Sequence, residues 1–189
     1  MRIAVRDGIT LSAKVWMPTA AQSAPMPAIL EILPYRKRDG TDFRDATTHA
    51  QFSRHGYVCL RVDLRGSGES EGLFDDEYSE QELSDIEDVI AWIAQQEWCT
   101  GSVGIMGISW GGFNGLQTAA RRPPALKAVI SLCSSVDRFA DDIHYKGGCL
   151  LTENFGWAAN MLSYSSRPPD PMLVGNSPTS PRERGEVAR

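Results

Sequence analysis

The stretch Gly107-Ile108-Ser109-Trp110-Gly111-Gly112 follows directly on the run Ser102-Val103-Gly104-Ile105-Met106. A lone serine between glycines, after a buried-looking strand and before a helical pattern, is the layout of a nucleophile elbow. The reason is steric. The chain reverses so tightly that the serine sits in a strained backbone conformation, and the residues two before and two after it must be nearly without side chains. Gly107 and Gly111 meet that demand, while Gly112 and Gly115 let the following helix pack closely on the sheet. The spacing predicts a strand ending near Gly107, Ser109 at positive φ, and a helix begun by about Gly111. The serine hydroxyl would then stand above the sheet, at a helix N-terminus that favours negative charge.

Working outward, strand-like and helix-like segments alternate. Arg2–Arg6 and Thr10–Trp16 flank Asp7-Gly8, a hairpin signal. Thr19–Pro25 reads as a flexible stretch of small residues, and Ala28–Leu33 as a buried strand stopped by Pro34. Asp42–Arg54 looks helical, with Gly56 placed to end it, and Tyr57–Val62 is the next strand. Ser79-Glu80-Gln81-Glu82 makes a capping box, after which Leu83, Ile86, Ile90 and Ile93 share one helical face. A helix from Ser109 to about Arg121 must stop before Pro123-Pro124, and Ala128–Cys133 is one more strand. The pattern predicts an α/β fold with a mostly parallel sheet covered on both faces. It divides into a nucleophile-bearing part (1–137), a cap with short helical pieces (138–175) and a polar, disordered or aberrant tail (176–189).

The 189 residues suit one domain with a sizeable core, and the net charge of -5 favours neither nucleic acid nor an anionic membrane surface. No apolar run reaches the length of a membrane span, and Met1–Gly8 lacks the basic-then-apolar layout of a signal peptide. Cys59, Cys99, Cys133 and Cys149 form no C-x-x-C pair, so reduced, mostly buried thiols in a cytoplasmic protein are expected. No metal and no cofactor is assigned. Gly66-Ser67-Gly68 superficially suggests a dinucleotide loop, but Gly72 falls at the wrong spacing and acidic residues follow, which would repel a pyrophosphate.

An oxyanion beside Ser109 needs donors. The backbone N–H of Trp110 is one. The loop after an earlier strand normally supplies another, and here it reads Leu33-Pro34-Tyr35-Arg36-Lys37, without a glycine run. The Tyr35 hydroxyl can donate, although a half-buried tyrosine at a strand end needs no such role.

Together these pieces resemble α/β-hydrolases of the cocaine esterase and Xaa-Pro dipeptidyl-peptidase type. The resemblance rests on Arg6-Asp7-Gly8-Ile9-Thr10-Leu11, Pro34-Tyr35-Arg36-Lys37, Asp63-Leu64-Arg65-Gly66-Ser67-Gly68-Glu69-Ser70, Trp98-Cys99-Thr100-Gly101 and the elbow, and covers about residues 1–175. It implies that Ser109 is acylated by an ester, amide or short peptide substrate and that Tyr35 supplies an oxyanion-hole hydroxyl. The family more often has tyrosine where Trp110 stands. Residues from about Phe139 look like the start of the helical cap that helps form the acyl pocket. An oligomer is compatible with a full-length parent.

The base is harder to find. His49 lies inside the helix of residues 42–54, and His55 ends it, suited to the helix terminus. Asp141, Asp142 and His144 follow Ser109 in the right order; Asp142 and His144 are two apart and point to different faces, while Asp141 to His144 is a feasible helical spacing, but the segment lies in the cap, so a local triad is not expected. In the resembling family acid and base lie far downstream. The chain therefore reads as truncated or frameshifted near residue 175, which predicts an isolated chain nearly inactive, by on the order of a million-fold. It also predicts an open sheet edge at Ala128–Cys133 and a cap without its packing partners. The alternative is a non-catalytic remnant, or a fragment needing complementation.

Overall fold

A computed structural model describes residues 1–166; the end of the expected cap (167–175) and the expected tail (176–189) lie outside the described residues. A six-stranded sheet has the order β1-β2-β4-β3-β5-β6. Its strands are β1 (Arg2–Ala4), β2 (Thr10–Trp16), β3 (Met26–Leu33), β4 (Val58–Asp63), β5 (Cys99–Ile108) and β6 (Leu126–Leu132). The β1–β2 hairpin is antiparallel, with Ile3 opposite Leu11, and β2 runs antiparallel to β4. The other four strands are parallel, joined by crossovers through α1 (Asp42–Arg54), α2 (Glu80–Ala94) and α3 (Trp110–Arg121). This is the α/β-hydrolase fold.

Local chemistry explains the boundaries. The Ser79 hydroxyl accepts from Glu82 N, and Glu82 reaches back to accept from Tyr78 N, one residue earlier than in the usual capping box. Leu83, Ile86, Ile90 and Ile93 face the sheet and are buried. The Thr19–Pro25 stretch is more ordered than its composition suggests, since Thr19–Gln22 forms a 3-10 turn. The cap is not purely helical. A small antiparallel hairpin, β7 (Tyr145–Lys146) and β8 (Cys149–Leu150), precedes α4 (Glu153–Ser166), because Gly147 and Gly148 both adopt positive φ. Cys59 and Cys99 are buried as expected, whereas Cys133 and Cys149 are exposed. Burial pushes the Cys59 thiol up to about 12.

Strand β6 lies at the sheet edge, and Ile130 and Leu132 are about half exposed (50% and 48%). Phe139, Phe155 and Leu162 of the cap are more exposed still. An apolar surface beside a strand edge favours association. No helix among the described residues is long and apolar enough to cross a membrane.

The strand sequences conceal a charged layer. Glu31 on β3 and Arg61 on β4 are register partners, both almost completely buried. Above them α1 places Asp45, whose carboxylate is 3.2 Å from Arg61 Nε, and Arg44, which donates to both Glu31 and Asp45. His49 stacks on Trp16 at 4.7 Å, with Nε2 3.5 Å from Glu31. Glu31, Asp45 and His49 sit close enough to hold a metal ion, but the two arginines already balance both carboxylates, and an added cation would be buried uncompensated.

Burial, with the nearby Arg61 and Arg44 guanidinium groups opposing Asp45, lowers His49 from 6.5 to about 4. Below pH 6.5 the unfolded chain takes up this proton before the native one does. Stability from neutral His49 is therefore present above pH 6.5 and is lost as pH falls toward 4, by on the order of 3 kcal/mol. Glu31, raised chiefly by burial, works in the opposite sense. Urea unfolding between pH 7 and 4.5 should show a shallower acid loss in His49→Gln than in the parent. Equal slopes would exclude the assignment.

Candidate active site

The elbow is built at the end of the third parallel strand of the crossover series. β5 ends at Ile108, Ser109 has φ 53° and ψ -113°, and α3 begins at Trp110. Ser109 N donates to Leu132 O at 2.8 Å, tying the turn to the edge strand. Its hydroxyl makes no cap bond to the helix. A Cβ on Gly107 would lie 2.3 Å from Gly111 C, and one on Gly111 would meet Leu33 Cδ2 at 2.9 Å. Gly107 is thus required by contact between turn and helix, and Gly111 by contact between the helix and β3. Gly107→Ala should lower the unfolding free energy by about 3 kcal/mol; an unchanged urea midpoint would rule out this steric account.

As the first helical residue, Trp110 has no intrahelical acceptor for its backbone N–H. Its ring is buried, and Nε1 donates to Glu82 Oε1 at 2.7 Å. Burial raises Glu82, opposed by the Trp110 hydrogen bond. Trp110 is therefore anchored through its side chain while its N–H faces the turn, a second use of the capping glutamate that periodicity alone does not reveal.

Tyr35 lies just beyond β3, on a loop locked by its own motif. Lys37, buried, donates through Nζ to Asp63 Oδ2 at 2.8 Å and to Glu69 at 2.5 Å, while its backbone N–H donates to Asp63 Oδ1. The segments Pro34–Lys37 and Asp63–Ser70 thus hold each other. The Tyr35 ring meets Trp110 and Trp157 edge-on at 6.2 and 5.9 Å. Its hydroxyl is buried and makes no hydrogen bond. Burial above all, then the Tyr164 phenol and the Glu77 carboxylate, raises its pKa, which keeps it a proton donor.

Ser109, Tyr35 and Trp110 line one pocket, closed from the cap by His144 and Trp157. The pocket's remaining walls include Tyr78, Phe113 and Glu77, the last held 3.3 Å from Arg138. His144, in the cap as expected, also lines this pocket, at 7% exposure. The local triad is still not assembled. Asp142 is engaged by Arg138 Nε at 2.7 Å, and Asp141 pairs with Lys146 on the surface. His55 serves the helix end, with Nδ1 2.9 Å from Gln51 O, and His49 lies in the charged layer beneath α1.

A parallel sheet with a strained serine between β5 and α3 defines an α/β-hydrolase. The comparison with known proteins is specific: the profile of the X-Pro dipeptidyl-peptidases (S15 family) matches residues 7–186. The chain belongs to this family. It is similar to the cocaine esterase of Rhodococcus sp. (strain MB1 Bresler), 33% identical over 159 residues, covering 83% of this chain and 27% of the relative. Among solved structures, an α-amino acid ester hydrolase superposes with TM-score 0.68 at 26% identity, covering 87% of this chain and 30% of that one. A CocE/NonD family hydrolase from Staphylococcus aureus shares the fold at TM-score 0.74 and 24% identity, over 87% of this chain and 32% of its own. The chain spans about a quarter to a third of the length of these relatives.

Proposed function

We propose that this chain is the nucleophile-bearing part (1–137) and the start of the cap (138–175) of a serine hydrolase that cleaves an ester or amide through an acyl-enzyme. The observation that carries the reading is Ser109 at φ 53° between β5 and α3, in one pocket with a buried, unpartnered Tyr35 hydroxyl. Ser109 Oγ attacks the carbonyl carbon. The Trp110 N–H and Tyr35 hydroxyl stabilise the oxyanion, and water later releases the acid with a histidine as base. No carboxylate of the 141–142 segment orients His144, so this pair is not proposed as the base and its acid. The names of the relatives, a cocaine esterase and an α-amino acid ester hydrolase, favour small carboxylic esters as substrates. The four free thiols support a reducing, cytoplasmic setting.

A fluorophosphonate probe tests the reading. Covalent labelling confined by peptide mapping to Ser109 is expected. No labelling at Ser109 would favour a non-catalytic chain.

A further inference from the structure

Glu82 opens a helix, yet its carboxylate is turned inward, toward the Ser109 turn. The residue is almost completely buried, and each carboxylate oxygen has its own donor. Oε1 accepts from Trp110 Nε1 and Oε2 from the Tyr78 backbone N–H, both at 2.7 Å. Those two donors sit on strained backbone. Tyr78 and Ser109 are the non-glycine residues of the pocket wall with positive φ, at 56° and 53°. Glu82 thus grips Tyr78 directly, and Ser109 through the residue that follows it. The helix start does not need the indole bond, since the Ser79 hydroxyl already accepts from Glu82 N. Burying a carboxylate costs more than packing an apolar side chain in the same space, so its directional bonds call for a reason.

What these bonds hold is an orientation. The peptide N–H that meets the oxyanion joins Ser109 to Trp110. Its tilt is set by Ser109 ψ, -113°, on one side and by the Trp110 Cα on the other. The bond from Nε1 fixes both side-chain torsions of Trp110, and the Tyr78 and Phe74 rings, 5.1 and 5.7 Å from the indole, close it in. We propose that Glu82 is a positioning residue for the oxyanion hole. Through the indole it holds the Trp110 N–H, and through Tyr78 N the adjoining wall, in the geometry that a developing oxyanion requires. Glu82 itself touches no reacting atom. A small displacement of the N–H leaves substrate binding nearly unchanged and weakens the contact that matters in the transition state. The inference rests on Ser109 being the nucleophile, since that is what makes the Trp110 N–H an oxyanion donor.

Saturation kinetics of fluorophosphonate labelling on the full chain test it. Ser109 Oγ displaces fluoride from phosphorus, the fluoride and the hydroxyl proton depart as HF, and the phosphoryl oxygen takes the oxyanion position. Glu82→Gln keeps one acceptor and turns an amide NH2 on the other donor. It should slow the maximal labelling rate about tenfold and leave the half-saturating probe concentration within about twofold. Trp110→Phe keeps a ring and the backbone N–H but removes Nε1, and should slow labelling to a similar extent. The double variant should be no slower than either single one, because both remove the same tether. Ser79→Ala deletes the cap bond alone, and should lower the urea midpoint without altering the labelling rate of the folded chain. An unchanged maximal rate in Glu82→Gln, losses that multiply in the double variant, or equal slowing in Ser79→Ala would overturn the proposal. Should Glu82→Gln fail to fold, an unchanged rate in Trp110→Phe overturns it equally, and a tenfold loss there with unchanged half-saturation sustains it. Failure of the nucleophile reading shows separately, as absent labelling of Ser109 in the unmodified chain.

Discussion

Ser109→Ala should abolish fluorophosphonate labelling and, in a protein carrying nucleophile, base and orienting carboxylate together, lower kcat about a million-fold. The size of the effect follows from the mechanism: without Oγ no acyl-enzyme forms, and only the oxyanion donors and substrate binding remain. The fold should be unaffected, because Ser109 anchors the turn through its backbone N–H to Leu132 O, and its hydroxyl makes no cap bond. Alanine must still adopt φ 53°, so a small loss of stability, on the order of 1 kcal/mol, is expected from backbone strain. Retained labelling, or a fall in kcat of less than about a thousand-fold with the fold intact, would remove Ser109 from the role.

Tyr35→Phe should reduce turnover by about a hundred-fold or more. The substitution deletes one oxygen and leaves the ring contacts to Trp110, Trp157 and Tyr164 in place. Because the Tyr35 hydroxyl is buried and unpartnered, removing it should leave stability unchanged or slightly raised; an ordinary structural tyrosine would lose stability with its bond. The two readouts therefore move in opposite directions if the hydroxyl serves a developing oxyanion. The loss should fall on kcat more than on KM, since the charge it meets exists only in the transition state. A normal rate with a lowered thermal midpoint would assign Tyr35 to packing.

Some features of this protein are settled by short-range chemistry and can be read along the chain. Gly107 before Ser109 is demanded by a contact with Gly111, four residues on, and the Asp42–Arg54 helix ends where Gly56 follows it. The Ser79 cap, the helical face of Leu83 to Ile93 and the alternation of strands and helices are equally local, and they suffice for the fold class. Tertiary structure decided what depends on distant partners. Glu31 and Arg61 look like interruptions in apolar strands until the parallel register sets them side by side and α1 closes over them. Glu82 is a capping residue in sequence and also the anchor of Trp110 in space. His144 lies 35 residues past the nucleophile, in a segment whose spacing argues against a triad; the cap hairpin brings it to the Ser109 pocket, while Asp142 is taken by Arg138 and Asp141 by Lys146. Local patterns record which backbone conformations are cheap; which side chains meet is set by the packing of elements far apart in the chain, and burial then determines which of those polar groups are left free to act.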